Sequence, residues 1–425
     1  MQARSEHARS YYAATVNDET RYAPLAGSVS ADVCVIGAGF TGISTALHLV
    51  ERGYQVHVVE ANRVGWGASG RNGGQMIGGI AGEGTILRHH GPGIANLLWE
   101  MRWAGHEIIR QRVTQYGIEC DLKPGYLDVA IKQRHVRDQR AEYDYLLEQG
   151  YPHELRLLSQ DETRELIGTD AYIGALKNMG NGHLHPLNLC IGEARAAERL
   201  GATICEQSPV VRVEQGEKAR VVTEGGSVTA DFVVIAGNAY QFVDRKLRSQ
   251  LFPVNSFIVA TEPLSDEIVV EINPEDLAVC DPNFVLQYFR LSADKRLLFG
   301  GRCNYFGDDP DVIRKKMNPK MCKIYPRLAQ TRIDYAWGGT IGVTLNRVPQ
   351  LGRTTPNIFY SQGYSGHGVN VTHLAGQVLA DAIAGTFERF DIFAKIKPVT
   401  VPGSGTFTKQ MVSLGMVYYR LKDLL

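Results

Sequence analysis

The sequence lacks the paired cysteines of a disulfide-stabilised or zinc-binding protein. Its 425 residues include seven cysteines, which are scattered singly and never form a C-x-x-C pair. The common zinc sites need such pairs, and an odd cysteine count suits a reducing compartment better than a disulfide framework. We therefore expect free cysteines and no metal centre.

Long apolar runs and an excess of either charge are also missing. No stretch approaches the roughly 20 apolar residues that a membrane helix requires, and residues 1–22 carry charges without the apolar core of a secretory signal. Lys plus Arg and Asp plus Glu number 45 each, so no net charge draws the chain toward nucleic acid or an anionic membrane. These absences predict a cytoplasmic protein with no membrane span and no nucleic-acid partner.

Glycine, by contrast, is abundant and clustered. The chain has 45 glycines, and a dense group of them follows the short apolar run at residues 31–36, which is typical of a buried parallel strand. A helix predicted over residues 40–53 and a second β-rich run at residues 55–60 complete one βαβ unit. The length allows two sizeable cores, so we expect an α/β protein of two domains.

The first glycine cluster, GAGFTG at residues 37–42, has the G-x-G-x-x-G pattern. Alone, the pattern is weak, because a purely structural glycine turn can match it. Here it follows a strand, opens a helix, and has Glu60 at the end of the second strand. In that context Gly37 makes a tight turn, Gly39 admits a pyrophosphate, Gly42 packs the helix on the strand, and Glu60 accepts hydrogen bonds from the ribose.

The second cluster, GWGASGRNGGQ at residues 65–75, comes directly after this unit. A nicotinamide enzyme does not need such a segment there, whereas FAD extends beyond its pyrophosphate and needs backbone packed against it. Small residues allow that approach, and Ser69 and Arg71 could meet phosphate or ribitol oxygens. The alternative is a flexible surface loop.

The third cluster, GYSGHGV at residues 363–369, joins the last predicted strand to the last long helix. Its N–H groups and the helix dipole could stabilise negative charge on a reduced flavin ring. His367 either stands at the reacting face or has a structural role, and the sequence leaves both interpretations open.

Six blocks along most of the chain carry a resemblance to a known family: ADVCVIGAGFTGISTALHL, VGWGASGRNGGQ, GNGHLHPLNL, VVIAGNAY, RLLFGGR and YSQGYSGHGVNVTHLAGQVLAD. They resemble the glycine oxidase / D-amino-acid oxidase superfamily of FAD-dependent oxidoreductases. The GASGRNGGQ and GNAY blocks, with DYAWGGT and SGHGV, are most similar to the gamma-glutamylputrescine oxidases, which are its polyamine-catabolic members.

The resemblance implies a Rossmann-like FAD-binding domain and a second, mixed-sheet α+β substrate domain. The predicted segments are 25–90, 180–240 and 345–400 for the FAD-binding domain, 91–179 and 241–344 for the substrate domain, and 401–425 for a C-terminal tail. Val211 should approach the adenine, and residues 366–369 should meet the flavin ring. The full set of predicted cofactor contacts is Gly37, Gly39, Phe40, Thr41, Gly42, Glu60, Ala61, Arg63, Gly67, Ala68, Ser69, Arg71, Asn72, Gly73, Gly74, Gln75, Val211, Gly237, Gly363, Gly366, His367, Gly368 and Val369.

We expect the FAD to be non-covalent. Cys303 could be imagined as a covalent anchor, but a buried, inert thiol is the expected state of that residue. For catalysis and substrate contact the candidates are His367, Tyr288, Arg290 and Arg302, the last three with ordinary sheet-surface roles as the alternative.

One departure from the family bears on the substrate. Amino-acid oxidases of the superfamily grip the substrate's α-carboxylate with an arginine near the last glycine turn, whereas this turn has Gly366 and His367 and no arginine. A free α-amino acid held in that way is therefore not expected, and an amine with a distant carboxylate is compatible.

The expected reaction is oxidation of a small amine, such as gamma-glutamylputrescine. Hydride would pass from the α-carbon to flavin N5, the imine would hydrolyse to aldehyde and ammonia, and oxygen would reoxidise the flavin to give hydrogen peroxide. Two alternatives stay open. One is an FAD dehydrogenase or oxidase of an amino acid or glycated amine, and the other is a flavin-binding subunit without turnover.

Overall fold

The computed structural model describes residues 6–241, 243–283, 286–302 and 309–400. The strands, in chain order, are β1 (Gly27–Ile36), β2 (Val56–Val59), β3 (Gln75–Met76), β4 (Lys123–Ala130), β5 (Leu155–Leu158), β6 (Gly174–His183), β7 (Thr203–Cys205), β8 (Val210–Glu214), β9 (Ala219–Thr223), β10 (Gly226–Ile235), β11 (Phe252–Thr261), β12 (Ala278–Cys280), β13 (Gln287–Leu291), β14 (Leu297–Arg302), β15 (Ile333–Val343), β16 (Gln350–Thr355) and β17 (Ile358–Gln362).

The α-helices are α1 (Tyr11–Ala14), α2 (Phe40–Val50), α3 (Glu83–His90), α4 (Ala95–Tyr116), α5 (Gln133–Glu148), α6 (Gln160–Ile167), α7 (Pro186–Arg199), α8 (Arg245–Arg248), α9 (Asp266–Ile272), α10 (Pro310–Ile324), α11 (Gly368–Ile383) and α12 (Glu388–Ala394). Short 3₁₀ turns occur at Ala68–Gly70, Pro92–Ile94, Asn238–Tyr240 and Pro326–Gln330. None of the helices in the described ranges combines the length and apolarity needed to cross a bilayer.

The first sheet is the Rossmann-like half of the molecule. Within the described ranges it has eight strands in the order β16-β17-β10-β1-β2-β7, with β9 beside β10 and β8 beside β9. From β17 to β7 the neighbouring strands run parallel. Such strands are covered on both faces, which explains why Val33, Cys34, Val35, Val233 and Val234 are fully buried.

The second sheet is largely antiparallel. Its described strands follow the order β15-β11-β14-β13-β12-β4-β6-β3, with β5 beside β6, and β12 and β4 are its parallel pair. One face packs on α10 through Phe257, Phe289, Phe299 and Met317. The other face meets the first domain, because Trp337 belongs to the same buried apolar cluster as the first sheet and its helices. The two sheets therefore share a core.

The predicted fold class is confirmed, and the predicted βαβ unit is present as β1, α2 and β2. Every strand of the first sheet lies within the three segments predicted for the FAD-binding domain. However, α4, which was predicted in the other domain, packs against α11 and α7 of the first. The domain boundaries remain a prediction, and residues 401–425 lie outside the described residues.

Candidate active site

A large cavity begins where the parallel strands end and extends to the second sheet. Ile36, Val59 and Ala236, at the ends of β1, β2 and β10, line one part of it, while Ser256 and Tyr288 of the second sheet line another. Its volume is about 420 Å³, within the roughly 300–1,000 Å³ of small-molecule sites. Ligands of open α/β sheets bind at this edge. We call this space the large cavity.

The first glycine turn forms its floor. Gly37 has φ +107°, and a Cβ there would lie 3.1 Å from the carbonyl oxygen of Ala236. A Cβ at Gly39 would lie 2.9 Å from Ser69 Oγ, and one at Gly42 would overlap the Gly37 carbonyl oxygen. A side chain at any of these positions would therefore push apart the Gly37 turn, the loop that carries Ser69, and helix α2. The resulting cradle fits a pyrophosphate above the first turn of α2.

Glu60 follows β2 and faces the same cavity. Its Oε2 accepts a hydrogen bond from Ala38 N at 2.8 Å, and its Oε1 accepts one from Asn62 N at 2.9 Å. Burial raises the pKa of this carboxyl group. Each oxygen keeps further lone pairs, so the backbone bonds fix the carboxylate and leave it able to accept hydroxyl groups of a ribose.

The second glycine cluster is an ordered loop with several anchors. Asn72 accepts from Gly74 N at 2.8 Å and donates to Ser69 O at 2.8 Å. The Arg71 guanidinium stands 4.4 Å from the Trp66 ring and donates to Trp66 O at 2.8 Å. The flexible surface loop considered as an alternative is therefore wrong.

The same loop is tied to the second sheet. Trp337 Nε1 donates to Arg71 O at 3.1 Å, and Gln75 Nε2 donates to Val279 O at 3.0 Å. A Cβ at Gly73 would lie 2.5 Å from the Tyr288 ring. The loop thus connects the two halves at the point where the large cavity passes between them.

The last glycine turn closes the cavity from the opposite side. Gly363, Ser365 and Gly366 have positive φ values of +80°, +56° and +88°, and His367 precedes the first residue of α11. His367 Nε2 lies 3.0 Å from Gly78 O. A carbonyl oxygen only accepts, so Nε2 donates to it. Burial lowers the pKa of His367, which favours a neutral ring whose Nδ1 is an acceptor.

An arginine from another part of the chain reaches the large cavity near the last glycine turn. No arginine stands in the turn itself, but Arg347, on the connection between β15 and β16, lines the large cavity together with His367. Its charge also contributes to the lowered pKa of His367, after burial. The pattern of the turn does not reveal this arginine, because Arg347 lies twenty residues upstream of His367 and only the fold brings the two together. The case against a free α-amino acid therefore cannot rest on a missing arginine.

The second sheet supplies the remaining candidates. Tyr288 lines the large cavity, and its hydroxyl lies 3.3 Å from Ser256 Oγ. Arg290, in contrast, is buried and donates to Gly73 O, Leu291 O and Leu184 O at 2.8–2.9 Å. These backbone partners and its absence from the cavity lining make Arg290 a structural residue, so its predicted substrate contact is wrong.

Most of the predicted cofactor contacts come together around the large cavity. Those that line it are Gly37, Gly39, Phe40, Thr41, Glu60, Ala61, Gly67, Ala68, Ser69, Arg71, Asn72, Gly73, Gln75, Gly237, Gly366, His367, Gly368 and Val369. Their contact with FAD itself stays a prediction. The side chain of Arg302 and all of Cys303 lie outside what the structure describes.

Five predicted contacts are not part of the lining: Gly42, Arg63, Gly74, Val211 and Gly363. Gly42 and Gly74 are packed against backbone. Arg63 pairs with Glu206 at 3.0 Å. Val211 is 52% exposed, and its neighbour Val210 lines the cavity instead.

Sequence reasoning missed several lining residues. Tyr240, whose hydroxyl accepts from Thr340 N at 2.7 Å, lies in the GNAY block and could have been found there. Ser256, Tyr126 and Cys280 carried no signal. They stand on separate strands whose neighbours are set only by the sheet order.

A buried charge cluster supports α11 behind the last glycine turn. Glu193 accepts from Arg112 at 2.9 Å and lies 3.1 Å from His373 Nε2. His373 Nδ1 donates to the carbonyl oxygen of Val369, a lining residue, at 2.6 Å. Burial alone would raise the pKa of Glu193, but the charges of His373 and Arg112 lower it to about 2. We call this group the Glu193 cluster.

Comparisons with known proteins agree with the fold. Residues 32–382 match the family model DAO, described as FAD dependent oxidoreductase. The chain is 41% identical over 424 residues to the gamma-glutamylputrescine oxidoreductase of Escherichia coli (strain K12), covering 99% of each protein. It is similar in structure to glycine oxidase from Geobacillus kaustophilus, with a TM-score of 0.70 at 20% identity, covering 88% of this chain and 100% of that one.

Proposed function

The chain belongs to the DAO family of FAD-dependent oxidoreductases, and from that premise we propose that it oxidises the free amine of gamma-glutamylputrescine or a related gamma-glutamylated amine. The Escherichia coli relative is named for gamma-glutamylputrescine and matches this chain over 99% of each protein. The proposal extends that substrate to this protein.

One observation carries the proposal. The large cavity is continuous from the glycine turn at Gly37, past the last turn at His367, to Tyr288 on the second sheet. A long cofactor and a small substrate can therefore occupy one space, with the substrate against the second sheet. The division matches a Rossmann-like half that holds the cofactor and a second half that presents the substrate.

The residues present fit FAD. The Cβ positions at Gly37, Gly39 and Gly42 are blocked, which leaves backbone amides and not side chains at the cradle. Non-covalently bound FAD would supply the two-electron oxidation of the amine to an imine, with oxygen as the final acceptor giving hydrogen peroxide and water hydrolysing the imine to aldehyde and ammonia. Phosphate would lie over the start of α2, and Glu60 would hold the ribose.

The chain's own contribution at the reacting end is orientation and electrostatics. His367 Nε2 donates a hydrogen bond to Gly78 O, and burial lowers the pKa of the ring, which favours the neutral form without a full positive charge. Helix α11 begins at Gly368 without a side-chain cap, so the N–H groups of its first turn and the helix dipole place partial positive charge beside the lining residues Gly368 and Val369. That charge favours negative charge on a bound group. Tyr288 and Ser256 offer hydroxyls to the substrate.

A second candidate function is oxidation of a free α-amino acid. Arg347 favours it, because a guanidinium that lines the cavity beside His367 could bind an α-carboxylate.

Anaerobic flavin bleaching decides between the two candidates. Purified protein with its FAD is mixed with gamma-glutamylputrescine, glycine or D-alanine, and absorbance of the oxidised flavin is followed. We expect fast bleaching by gamma-glutamylputrescine and slow bleaching by the amino acids, with peroxide formed after oxygen is admitted. Fast bleaching by glycine or D-alanine alone would establish the second candidate.

Acid precipitation tests the mode of FAD attachment. Yellow colour should pass to the supernatant, because non-covalent FAD is released when the fold is lost. Colour retained in the pellet would show a covalent link.

A further inference from the structure

A second cavity lies beside the large one, between the second sheet and helices α4 and α5. Its volume is about 400 Å³, again in the roughly 300–1,000 Å³ range of small-molecule sites. Ile77, Tyr126 and Cys280 line both spaces, so the two adjoin. We call this second space the side cavity.

The strand register connects the floors of the two cavities. Tyr288 of β13 pairs with Cys280 of β12, and Cys280 pairs with Asp128 of β4. The three residues therefore form one row across adjacent strands. Tyr288 lines the large cavity, Cys280 lines both, and Asp128 lines the side cavity. Strands are roughly 4.8 Å apart, so the row spans roughly 10 Å.

Alternation along β4 explains why an acidic residue faces this space. Leu127 and Val129 point into the apolar core on the other face, while Tyr126 and Asp128 share the cavity face. Helix α5 covers the side cavity with residues at helical spacing: His135, Asp138, Gln139, Glu142 and Leu146.

The charge of the side cavity is unbalanced. Its described lining has the carboxylates Asp128, Asp138, Glu142 and Asp281, and its only lysine or arginine is Arg102. Arg102 is already engaged, at 2.6 Å with Glu142 and 3.5 Å with Glu83. A group with positive charge would therefore be attracted to the cavity.

Asp128 is the carboxylate of this set that lies on the sheet without a partner, whereas Asp138 is exposed on α5. Within the described residues its carboxyl group has no hydrogen bond and no ion pair. Burial, with Glu142, Asp281 and Asp138 nearby, raises the pKa of the Asp128 carboxyl to about 7. A carboxylate of this kind is costly unless a cation joins it.

We propose that the side cavity binds the ammonium group at the far end of the amine substrate, with Asp128 as its main contact. This inference rests on the proposed function, since it places the reacting amine in the large cavity. An extended chain gains roughly 3.3–3.6 Å for every three bonds, and the reacting amine of gamma-glutamylputrescine is separated from the glutamyl α-carbon by about nine bonds. That length matches the row from Tyr288 to Asp128.

Four probes separate the two ends of the substrate. Gamma-glutamylputrescine has the reacting amine and a far α-ammonium, and spermidine has a far ammonium without a carboxylate. N-acetylputrescine has the reacting amine and a neutral far end. Gamma-glutamylbutylamide has the glutamyl end and ends in a methyl group instead of the reacting aminomethyl group, so it can occupy the site but cannot be oxidised.

The variant is Asp128→Asn, and Asp144→Asn is its matched control, because Asp144 is an exposed carboxylate on α5, the helix that covers the side cavity, but outside the cavity lining. For the wild type, we expect half-maximal flavin reduction at a lower concentration of gamma-glutamylputrescine than of N-acetylputrescine. Asp128→Asn should raise that concentration about tenfold or more for gamma-glutamylputrescine, as for loss of a hydrogen bond to a charged group. Its limiting reduction rate and its N-acetylputrescine values should stay unchanged.

Calorimetry with gamma-glutamylbutylamide gives the second readout. It should bind the wild type and Asp144→Asn alike and bind Asp128→Asn at least about tenfold more weakly. If spermidine loses affinity in Asp128→Asn as gamma-glutamylputrescine does, a second ammonium suffices; if only the gamma-glutamyl compounds do, the α-amino acid end is recognised. Either result supports the site.

Two outcomes would overturn the inference. One is a folded, yellow Asp128→Asn protein that binds gamma-glutamylbutylamide like the wild type. The other is an equal loss of affinity for N-acetylputrescine, which would show a general disturbance of the large cavity. If the proposed function is wrong, no amine will bleach the flavin of the wild type. The calorimetry with gamma-glutamylbutylamide would still show whether Asp128 binds the ammonium group. Glu142→Gln, tested in the same way, replaces Asp128→Asn if that variant does not fold.

Discussion

The Glu193 cluster and the side cavity are both groups of charged side chains inside the protein, but they are built in opposite ways. Each oxygen of Glu193 has a basic partner, Arg112 or His373, and all three side chains are at most 3% exposed. The side cavity has four carboxylates around Arg102, and Asp128 has no partner among the described residues. The whole chain has 45 acidic and 45 basic residues, so this imbalance is local.

The difference separates two uses of buried charge. Around Glu193 the protein supplies every partner itself, and the closed network fixes α11, α4 and α7 behind the last glycine turn. Around Asp128 a partner is missing and there is room for one. A closed network serves rigidity, whereas an open one favours a ligand that completes it.

The largest expected effect is on the closed cluster. Glu193→Gln should lower the free energy of unfolding by about 3–5 kcal/mol, because it leaves the Arg112 charge buried without its carboxylate. Urea unfolding at neutral pH measures this loss. Adding Arg112→Met should recover part of it, since the unpaired charge is then gone. A Glu193→Gln protein as stable as the wild type would show that the Glu193 cluster does not stabilise the fold.

Glu60 is expected to have the next largest effect, this time on cofactor retention. Glu60→Ala should weaken FAD binding by about 1–3 kcal/mol, since it removes an acceptor for ribose hydroxyls and also the partner of two backbone amides. Flavin fluorescence during dilution gives the dissociation constant. Glu60→Gln keeps one acceptor oxygen, so its FAD affinity should lie between the affinities of the wild type and Glu60→Ala. Unchanged FAD affinity in Glu60→Ala would show that this carboxylate is not on the ribose.

Acid should remove the advantage of the closed cluster. The pKa of Glu193 is lowered to about 2 in the folded protein and is about 4.3 in an unfolded chain. Its stabilisation is therefore present above pH 4.3 and is lost as pH falls toward 2. The stability gap between wild type and Glu193→Gln should narrow by about 1–2 kcal/mol between pH 5 and pH 3. A constant gap would mean that the pKa of Glu193 is not lowered.

The effect expected at Asp128 on the free energy of unfolding should have the opposite sign. The pKa of Asp128 is raised to about 7 in the folded protein, against about 3.9 in an unfolded chain. Ionised Asp128 therefore destabilises the fold increasingly as pH rises between these values. Asp128→Asn should therefore stabilise the ligand-free protein at pH 8, where the wild-type carboxyl group is ionised, and should not stabilise it at pH 4. Thermal melting at both pH values, with Asp144→Asn as control, measures this difference in stability. An Asp128→Asn protein less stable than the wild type at pH 8 would show that the Asp128 carboxylate has a stabilising partner.

Several parts of the site could be predicted because they obey local rules. The turn at Gly37 needs a positive φ, and Gly42 needs a bare Cα against the Gly37 carbonyl, so both requirements are visible in the order of residues. The buried strands β1 and β10 are apolar runs, and α11 has helical spacing. Local pattern was less informative for α10, where Pro319 lies inside a helix that the sequence did not predict.

The sequence by itself determined the Rossmann-like half: its βαβ unit, its glycine turns and the placement of Glu60 at a strand end. Only the tertiary structure decided what faces the substrate. In the folded protein Arg347 and His367 line the same cavity, and Arg290 is buried and donates to carbonyl oxygens. The register of β13, β12 and β4 places Tyr288, Cys280 and Asp128 in one row. The physical reason is the range of the interactions involved. Turns and helices depend on neighbours in the chain, whereas the row depends on the order and register of strands that are far apart in sequence.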